Sequence, residues 1–238
     1  MDCGKDCMSK YLIINADDFG YTRGVNQGIL ETHLYGVVSS TSLMVDAPWA
    51  TEATIAARQY PSLGVGLHFV ATHDEKPLFN LDDISVVERE LHHQHQRFCE
   101  LLGRLPTHLD SHEHIHLKKK ELKPLFCTWA EEYHLPLRGL GIIHFNGGFY
   151  GHRFDEEWRL QTAPELISIE NLEKILRALP NGVTELACHP AHMTPDLDSS
   201  YAVERGIELA TLLNPRVREL LCELDISVIN FAAWLQFG

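Results

Sequence analysis

Residues 11–20 read Tyr-Leu-Ile-Ile-Asn-Ala-Asp-Asp-Phe-Gly. The apolar run Tyr11, Leu12, Ile13, Ile14 is too short for a helix and rich in strand-forming types, so it reads as a buried strand. Its carboxyl end carries two adjacent carboxylates, Asp17 and Asp18, whose mutual repulsion something must offset. The same short pattern recurs along the chain, predicting further strands over 40–45, 63–69, 107–111, 137–143, 184–188 and 226–230. Amphipathic segments predict helices over 26–35, 51–59, 86–102, 119–133, 171–179 and 215–224. Strand and helix alternating about seven times imply an α/β chain with a parallel sheet covered by helices. Periodicity alone does not separate an open layer from a closed barrel.

The chain has 238 residues. No repeat or Pro/Gly/Ser-rich linker divides it, so residues 11–238 are expected to form one domain behind a flexible tail, 1–10. Glycines at 139, 141, 147, 148 and 151 predict an irregular stretch over about 144–165. A net charge of −13 repels phosphate backbones, and the lone lysine run, Lys118 to Lys120, reads as a solvated helix start, so no nucleic-acid partner is expected. No apolar run approaches the roughly 20 residues of a membrane span. The first ten residues lack a signal peptide's apolar core, so a cytoplasmic protein is expected. Cys99, Cys127, Cys188 and Cys222 read as small buried hydrophobes, while Cys3 and Cys7 lack the further ligands a zinc site needs. The 15 histidines are what the composition leaves to be explained.

Six of them stand at strand ends. The strand at 63–69 carries Gly66-Leu67-His68 at its end; at the next, His108, Asp110, His112, His114 and His116 alternate with period two, which in extended chain points them one way. The sixth strand runs into Cys188-His189-Pro190. In parallel α/β architectures the carboxyl edge is where loops converge into a site. A mononuclear divalent site commonly takes three protein ligands, and two imidazoles with one carboxylate suit it. Asp18, His68 and His112 supply that set from three strands, and a cation beside Asp18 would let Asp17 stay ionised.

The motifs N-A-D-D-F-G, V-S-S-T-S-L-M-V, L-G-V-G-L-H, R-L-P-T-H-L-D-S-H-E-H-I-H and E-L-A-C-H-P, in that order, resemble the YdjC-like carbohydrate deacetylase family, which includes chitooligosaccharide deacetylases. The resemblance implies a distorted (β/α) TIM-like barrel related to the NodB-type polysaccharide deacetylases. It implies one divalent metal held by Asp18, His68 and His112, with Asp17 as catalytic base and His189 as general acid. It assigns His114 and His116 to support of the site or to substrate contact. The connection from His68 to the helix near 86 is shorter than in the family's chitooligosaccharide enzymes, which leaves the sugar and its length open.

The expected reaction is hydrolysis of an N-acetyl group on a small sugar or oligosaccharide. Asp110 is placed to hold a ligand histidine by its second ring nitrogen, and Arg138 to orient Asp17 or touch substrate. Phe149, Tyr150 and Trp158 form either a platform for a sugar ring or simple loop packing. Arg205 reads as helix surface. Trp234 to Phe237 read as packing, with a homodimer contact as the alternative. Two imidazoles lean towards zinc, although the family is described with magnesium. Two rival readings stay open: a binuclear amidohydrolase or phosphoesterase, and a non-catalytic sugar-binding protein on the same scaffold.

Overall fold

A computed structural model describes residues 9–155, 157 and 159–237; Cys3, Cys7 and Trp158 lie outside them. The first half of the chain builds β1 (Lys10–Phe19), α1 (Arg23–Tyr35), β2 (Ser40–Leu43), α2 (Ala50–Ala57) and β3 (Gly64–Phe69). A small antiparallel hairpin follows, β4 (Thr72–His73) with β5 (Lys76–Pro77), then α3 (Ile84–Leu102), β6 (Leu109–Ser111), α4 (Ile115–Lys118) and α5 (Lys123–Glu132). The second half gives β7 (His144–Asn146), a second hairpin of β8 (His152–Phe154) and β9 (Leu160–Thr162), α6 (Ile169–Arg177) and β10 (Gly182–Cys188). It ends in α7 (Ala202–Leu213), α8 (Pro215–Glu223), β11 (Ile226–Val228) and α9 (Phe231–Phe237).

Side chains set the helix ends. Thr22 accepts from the Val25 amide at the start of α1, and Asp83 accepts from the Ser85 and Val86 amides at the start of α3. Gly103 closes α3 in the left-handed region, φ 69°, with its amide on the Cys99 carbonyl.

All the main-sheet strands pair in parallel, in the order β6-β3-β2-β1-β10-β7. β1 lies at the centre and one of its flanks is shared: β11 pairs with Lys10 to Leu12, and β2 with the half from Asn15 onward. A bridge from Leu109 to Leu137 carries the order one position past β6. The expected distorted (β/α) barrel is therefore present, and among the described residues no ladder joins Leu137 to β7. The outer face of the sheet is apolar, with Leu12, Ile14, Ala16, Val65, Leu67 and Phe69 buried in the main core beneath the helices. No described helix is long and apolar enough to cross a membrane.

The barrel interior is polar and narrow. His108 stacks on Phe231 of α9 at 3.8 Å and fills the space over Gly66, where an added Cβ would lie 2.4–2.5 Å from its ring. Because the ring is wedged between Phe231 and the β3 backbone, Gly66→Ala is expected to destabilise the fold by about 1–3 kcal/mol, the usual cost of overpacking. A chemical denaturation curve superimposing on the parent's would contradict this.

Three expectations change. The strand over 137–143 shrinks to the bridge at Leu137, because Gly139 and Gly141 take positive φ (67° and 130°); the pairing strand forms later, as β7. The irregular stretch after 143 thus holds three short strands. The period-two run stops at Ser111, since Glu113 and His114 both adopt left-handed backbone (φ 53° and 54°), so the five polar positions do not share one extended face. Cys188 is buried as expected, but Cys99 and Cys127 are half-buried and Cys222 is exposed.

Candidate functional site

Strict alternation along β1 would send Asp17 and Asp18 to opposite faces of the sheet. They are brought together by a bulge. Ala16 pairs with Thr41 and Phe19 with Leu43, so β1 takes three steps where β2 takes two. Asp18 absorbs the extra residue in the left-handed region, φ 70°, which Asp tolerates better than most residues. Both carboxylates then face the barrel mouth, buried, with different partners.

Arg138 grips Asp17 with two parallel bonds, Nη1 to Oδ2 at 2.6 Å and Nη2 to Oδ1 at 2.7 Å, and Asn15 adds a third at 2.8 Å. The same guanidinium pairs with Asp110 at 2.8 Å and, through Nε, with Glu185 at 2.7 Å. Burial works to raise the Asp17 pKa, but the charge and bonds of Arg138 outweigh it and hold the group below the usual carboxylate range. Glu185 receives only one share of the cation. There burial dominates, with repulsion from Asp110 and Asp17, and its pKa is pushed up to about 7.

A carboxyl held above its unfolded value contributes stability at low pH and loses it as pH rises through the folded value, here between about 4.5 and 7. Glu185→Gln keeps an acceptor for Arg138 Nε without that charge. Its melting temperature is expected to gain on the parent's between pH 5 and pH 8, and a gap independent of pH would count against the burial argument.

Asp18 meets a different set. Its Oδ1 lies 3.2 Å from His68 Nε2 and 3.1 Å from His112 Nδ1, while Oδ2 is paired with Arg205. His68 Nδ1 lies 2.6 Å from Asp110. With that nitrogen donating, as an outer carboxylate normally arranges, Nε2 presents a lone pair to Asp18. The nitrogen is buried and makes no hydrogen bond. Burial alone would depress the His68 pKa; Asp110, Asp18 and Asp17 together raise it to about 10. A cation is thus called for between these atoms, either a proton or a metal ion. Asp18, His68 and His112 offer ligand atoms within 4.8 Å of one another, and spacings of 3.1–3.2 Å suit ligands about 2.1 Å from one shared ion. The donor set fits a divalent metal.

Across the mouth, His189 Nε2 lies 3.8 Å from Asp17 Oδ2. Its backbone amide donates to Glu208 Oε2 at 2.5 Å, and Glu208 Oε1 accepts from Tyr201 Oη at 2.6 Å. Burial would lower the His189 pKa, but Glu208, with Asp17 and Asp18 behind it, raises it. Tyr150, partly exposed, stacks on Tyr201 at 4.5 Å and stands edge-on to His189 at 5.5 Å. Phe149 is fully buried packing.

Asp17, Asp18, His68, His112, Asp110, Arg138 and His189 therefore share one region. His114 also borders it, edge-on to Phe145, its pKa driven down to about 3 chiefly by burial. His116 stands further back, with Nδ1 2.5 Å from Ser111 Oγ, Nε2 3.0 Å from the Arg138 carbonyl and its ring stacked on Phe126. That arrangement supports the Arg138 backbone. Arg205 and Glu208 were not expected here. Arg205 reads as helix surface in sequence, yet it is buried against Asp18. The sequence carries little signal for it: Arg205 stands between Glu204 and Gly206, and only Glu208 falls between apolar neighbours, Ile207 and Leu209.

Residues 11–223 match the family description of the YdjC-like proteins. The chain belongs to the YdjC-like family. It is 35% identical over 267 residues to the chitooligosaccharide deacetylase of Serratia marcescens, covering 94% of this chain and 99% of that one. The corresponding protein of Yersinia pestis bv. Antiqua (strain Angola) is 34% identical over 264 residues, with the same coverage. Among solved structures, a protein of Enterococcus faecalis V583 named for cellobiose-phosphate cleavage superposes with a TM-score of 0.81 at 29% identity, over 95% of this chain and 99% of that one. A family 4 carbohydrate esterase from Streptomyces lividans gives a TM-score of 0.54 at 13% identity, covering 93% and 92%, which speaks for the shared fold.

Proposed function

We propose that this YdjC-like chain is a carbohydrate deacetylase that removes N-acetyl groups from a short N-acetylated oligosaccharide, using one divalent cation held by Asp18, His68 and His112. The single observation that carries the reading is the convergence of those three ligand atoms beside an ionised carboxylate, Asp17, with His189 opposite. The names of the Serratia and Yersinia relatives supply the substrate class.

When bound, the cation would polarise the acetyl carbonyl and make a water easier to deprotonate. Asp17 takes the proton from that water. Arg138 keeps it charged at neutral pH and fixes its orientation, which a base must have before its proton arrives. Water adds to the carbonyl carbon, the C–N bond breaks, acetate leaves, and the sugar nitrogen needs a proton to depart as an amine. His189 supplies it, because Glu208 raises its pKa and holds its backbone. Tyr150 offers a ring face beside His189 for a sugar.

The connection between His68 and α3 reduces to the β4–β5 hairpin, tied down by the Glu75 amide on Glu113 Oε1 at 2.9 Å. A hairpin this short forms a low rim, which favours short chains as substrates. Two imidazoles and one carboxylate favour zinc or another transition ion over magnesium.

Mass-spectrometric detection of acetyl loss from a panel of N-acetylated mono- and oligosaccharides, with and without chelator, tests the reading. Chelator-sensitive loss is expected, and no loss from any member would overturn it. One observation favours the binuclear reading: Asp17, His68 and Asp110 also gather within 4.8 Å. Arg138 already bridges Asp17 and Asp110 where a second ion would sit, so about one metal equivalent per chain is expected.

A further inference from the structure

Arg205 lies on α7, far from β1 in the chain, and is almost wholly buried. Its guanidinium pairs with Asp18 Oδ2 through Nη2 alone, and its Nε and Nη1 are buried without any hydrogen-bond partner among the described residues. Leaving two guanidinium donors unsatisfied in the interior is unfavourable, and apart from the Tyr201 ring 6.0 Å from its central carbon, the guanidinium has Asp18 as its one strong partner among the described residues. The backbone on either side is pinned: the Arg205 amide donates to the Tyr201 carbonyl at 3.1 Å, and its carbonyl accepts from Ala191 at 3.2 Å. The side chain is therefore delivered to one oxygen of one carboxylate.

That oxygen is the one the imidazoles do not use. His68 and His112 both face Oδ1. We infer that Arg205 is a positioning residue that confines Asp18 to binding the metal ion through Oδ1 alone, and that it does so at the expense of metal affinity.

This rests on the reading of Asp18, His68 and His112 as the metal site. A carboxylate near a divalent ion readily turns both oxygens towards it, and a guanidinium on Oδ2 prevents this. The ion then keeps a position open for substrate, and less negative charge reaches it, so it polarises a carbonyl more strongly. The same guanidinium repels the ion. Charges of +1 and +2 held about 6 Å apart alter binding by about tenfold even at the screening of water, and by more in a buried site.

Residue Glu208, one helical turn beyond, holds the backbone of His189. One face of α7 thus fixes both the ion's carboxylate and the proposed acid.

The test uses chelator-stripped full-length protein titrated with Co²⁺ by calorimetry. The parent is expected to bind about one equivalent. Arg205→Gln, which removes the charge, should bind Co²⁺ about tenfold more tightly or better, and Arg205→Lys, which restores it, should return the affinity towards the parent's. A residue that merely supports the fold would give weaker binding in both variants. Arg205→Gln binding no more tightly than the parent therefore overturns the inference, whereas a parent that takes up no Co²⁺ overturns the metal site beneath it. A crystal structure of the Co²⁺-loaded parent tests the same point should the variants not fold. The ion on Oδ1 with Arg205 on Oδ2 is expected, and both Asp18 oxygens on the ion would refute it.

Discussion

Arg138→Met is expected to cost about 3–5 kcal/mol of folding stability, the typical penalty for removing one partner from a buried ion cluster. In the folded protein a single guanidinium serves Asp17, Asp110 and Glu185, all buried, at 2.6–2.8 Å. Methionine matches the volume and leaves three carboxyl groups in one dry space with no arginine among them. Burial and mutual repulsion would then raise their pKa values, where Arg138 now holds those of Asp17 and Asp110 down. The sign follows. Groups raised above their unfolded values lose stability as pH rises, so the variant should be least impaired in mild acid and most impaired at alkaline pH. Urea denaturation midpoints at pH 5 and pH 8 measure this, and a midpoint equal to the parent's at both would show that Arg138 is not the hub of the cluster. The interior between Leu137 and β7 has no strand ladder among the described residues, so the bonds of Arg138 to β1, β6 and β10 also stand in for sheet pairing there.

Asp17→Asn and His112→Ala are expected to separate two kinds of loss. Asparagine keeps the shape of Asp17 and leaves Asp18, His68 and His112 in place. On the proposed mechanism the variant should bind one metal equivalent as the parent does and deacetylate about 10² to 10⁴ times more slowly, the usual worth of a general base. His112→Ala removes a ligand atom and should lose metal and turnover together. Metal content after dialysis, read beside acetate release, distinguishes the outcomes. Asp17→Asn turning over normally would remove the base assignment; His112→Ala retaining a full equivalent would remove the ligand assignment.

Much of this was legible in the chain itself because the signals are local. An apolar tetrad before Asp17, the alternation of strand and helix, and polar residues crowding the strand ends all follow from burial and from the geometry of parallel sheets. The site's remaining half was not legible, for physical reasons that differ by residue. Arg205 and Glu208 sit in a helix whose charged positions look solvated unless one knows that the helix packs against the barrel mouth. The strand expected over 137–143 failed because two glycines took positive φ, a choice made by the surrounding turns. Period-two reasoning from His108 to His116 assumed an extended backbone past Ser111, where the left-handed residues Glu113 and His114 instead turn the chain; His112, the last residue before them, still reaches Asp18. Arg138 could be placed near Asp17, but its three-way grip depends on side chains from three strands meeting across the interior.

The extra residue in β1 has one more implication. Because Asp17 and Asp18 are chain neighbours, with Cα atoms about 3.8 Å apart, and the extra residue decides which way each one points, the spacing of proposed base and proposed ligand depends on β1 alone. The imidazoles arrive on separate strands and share no such tether. As the barrel breathes on warming, ion capture should slacken first, and the two acids should keep their mutual spacing until β1 itself comes free.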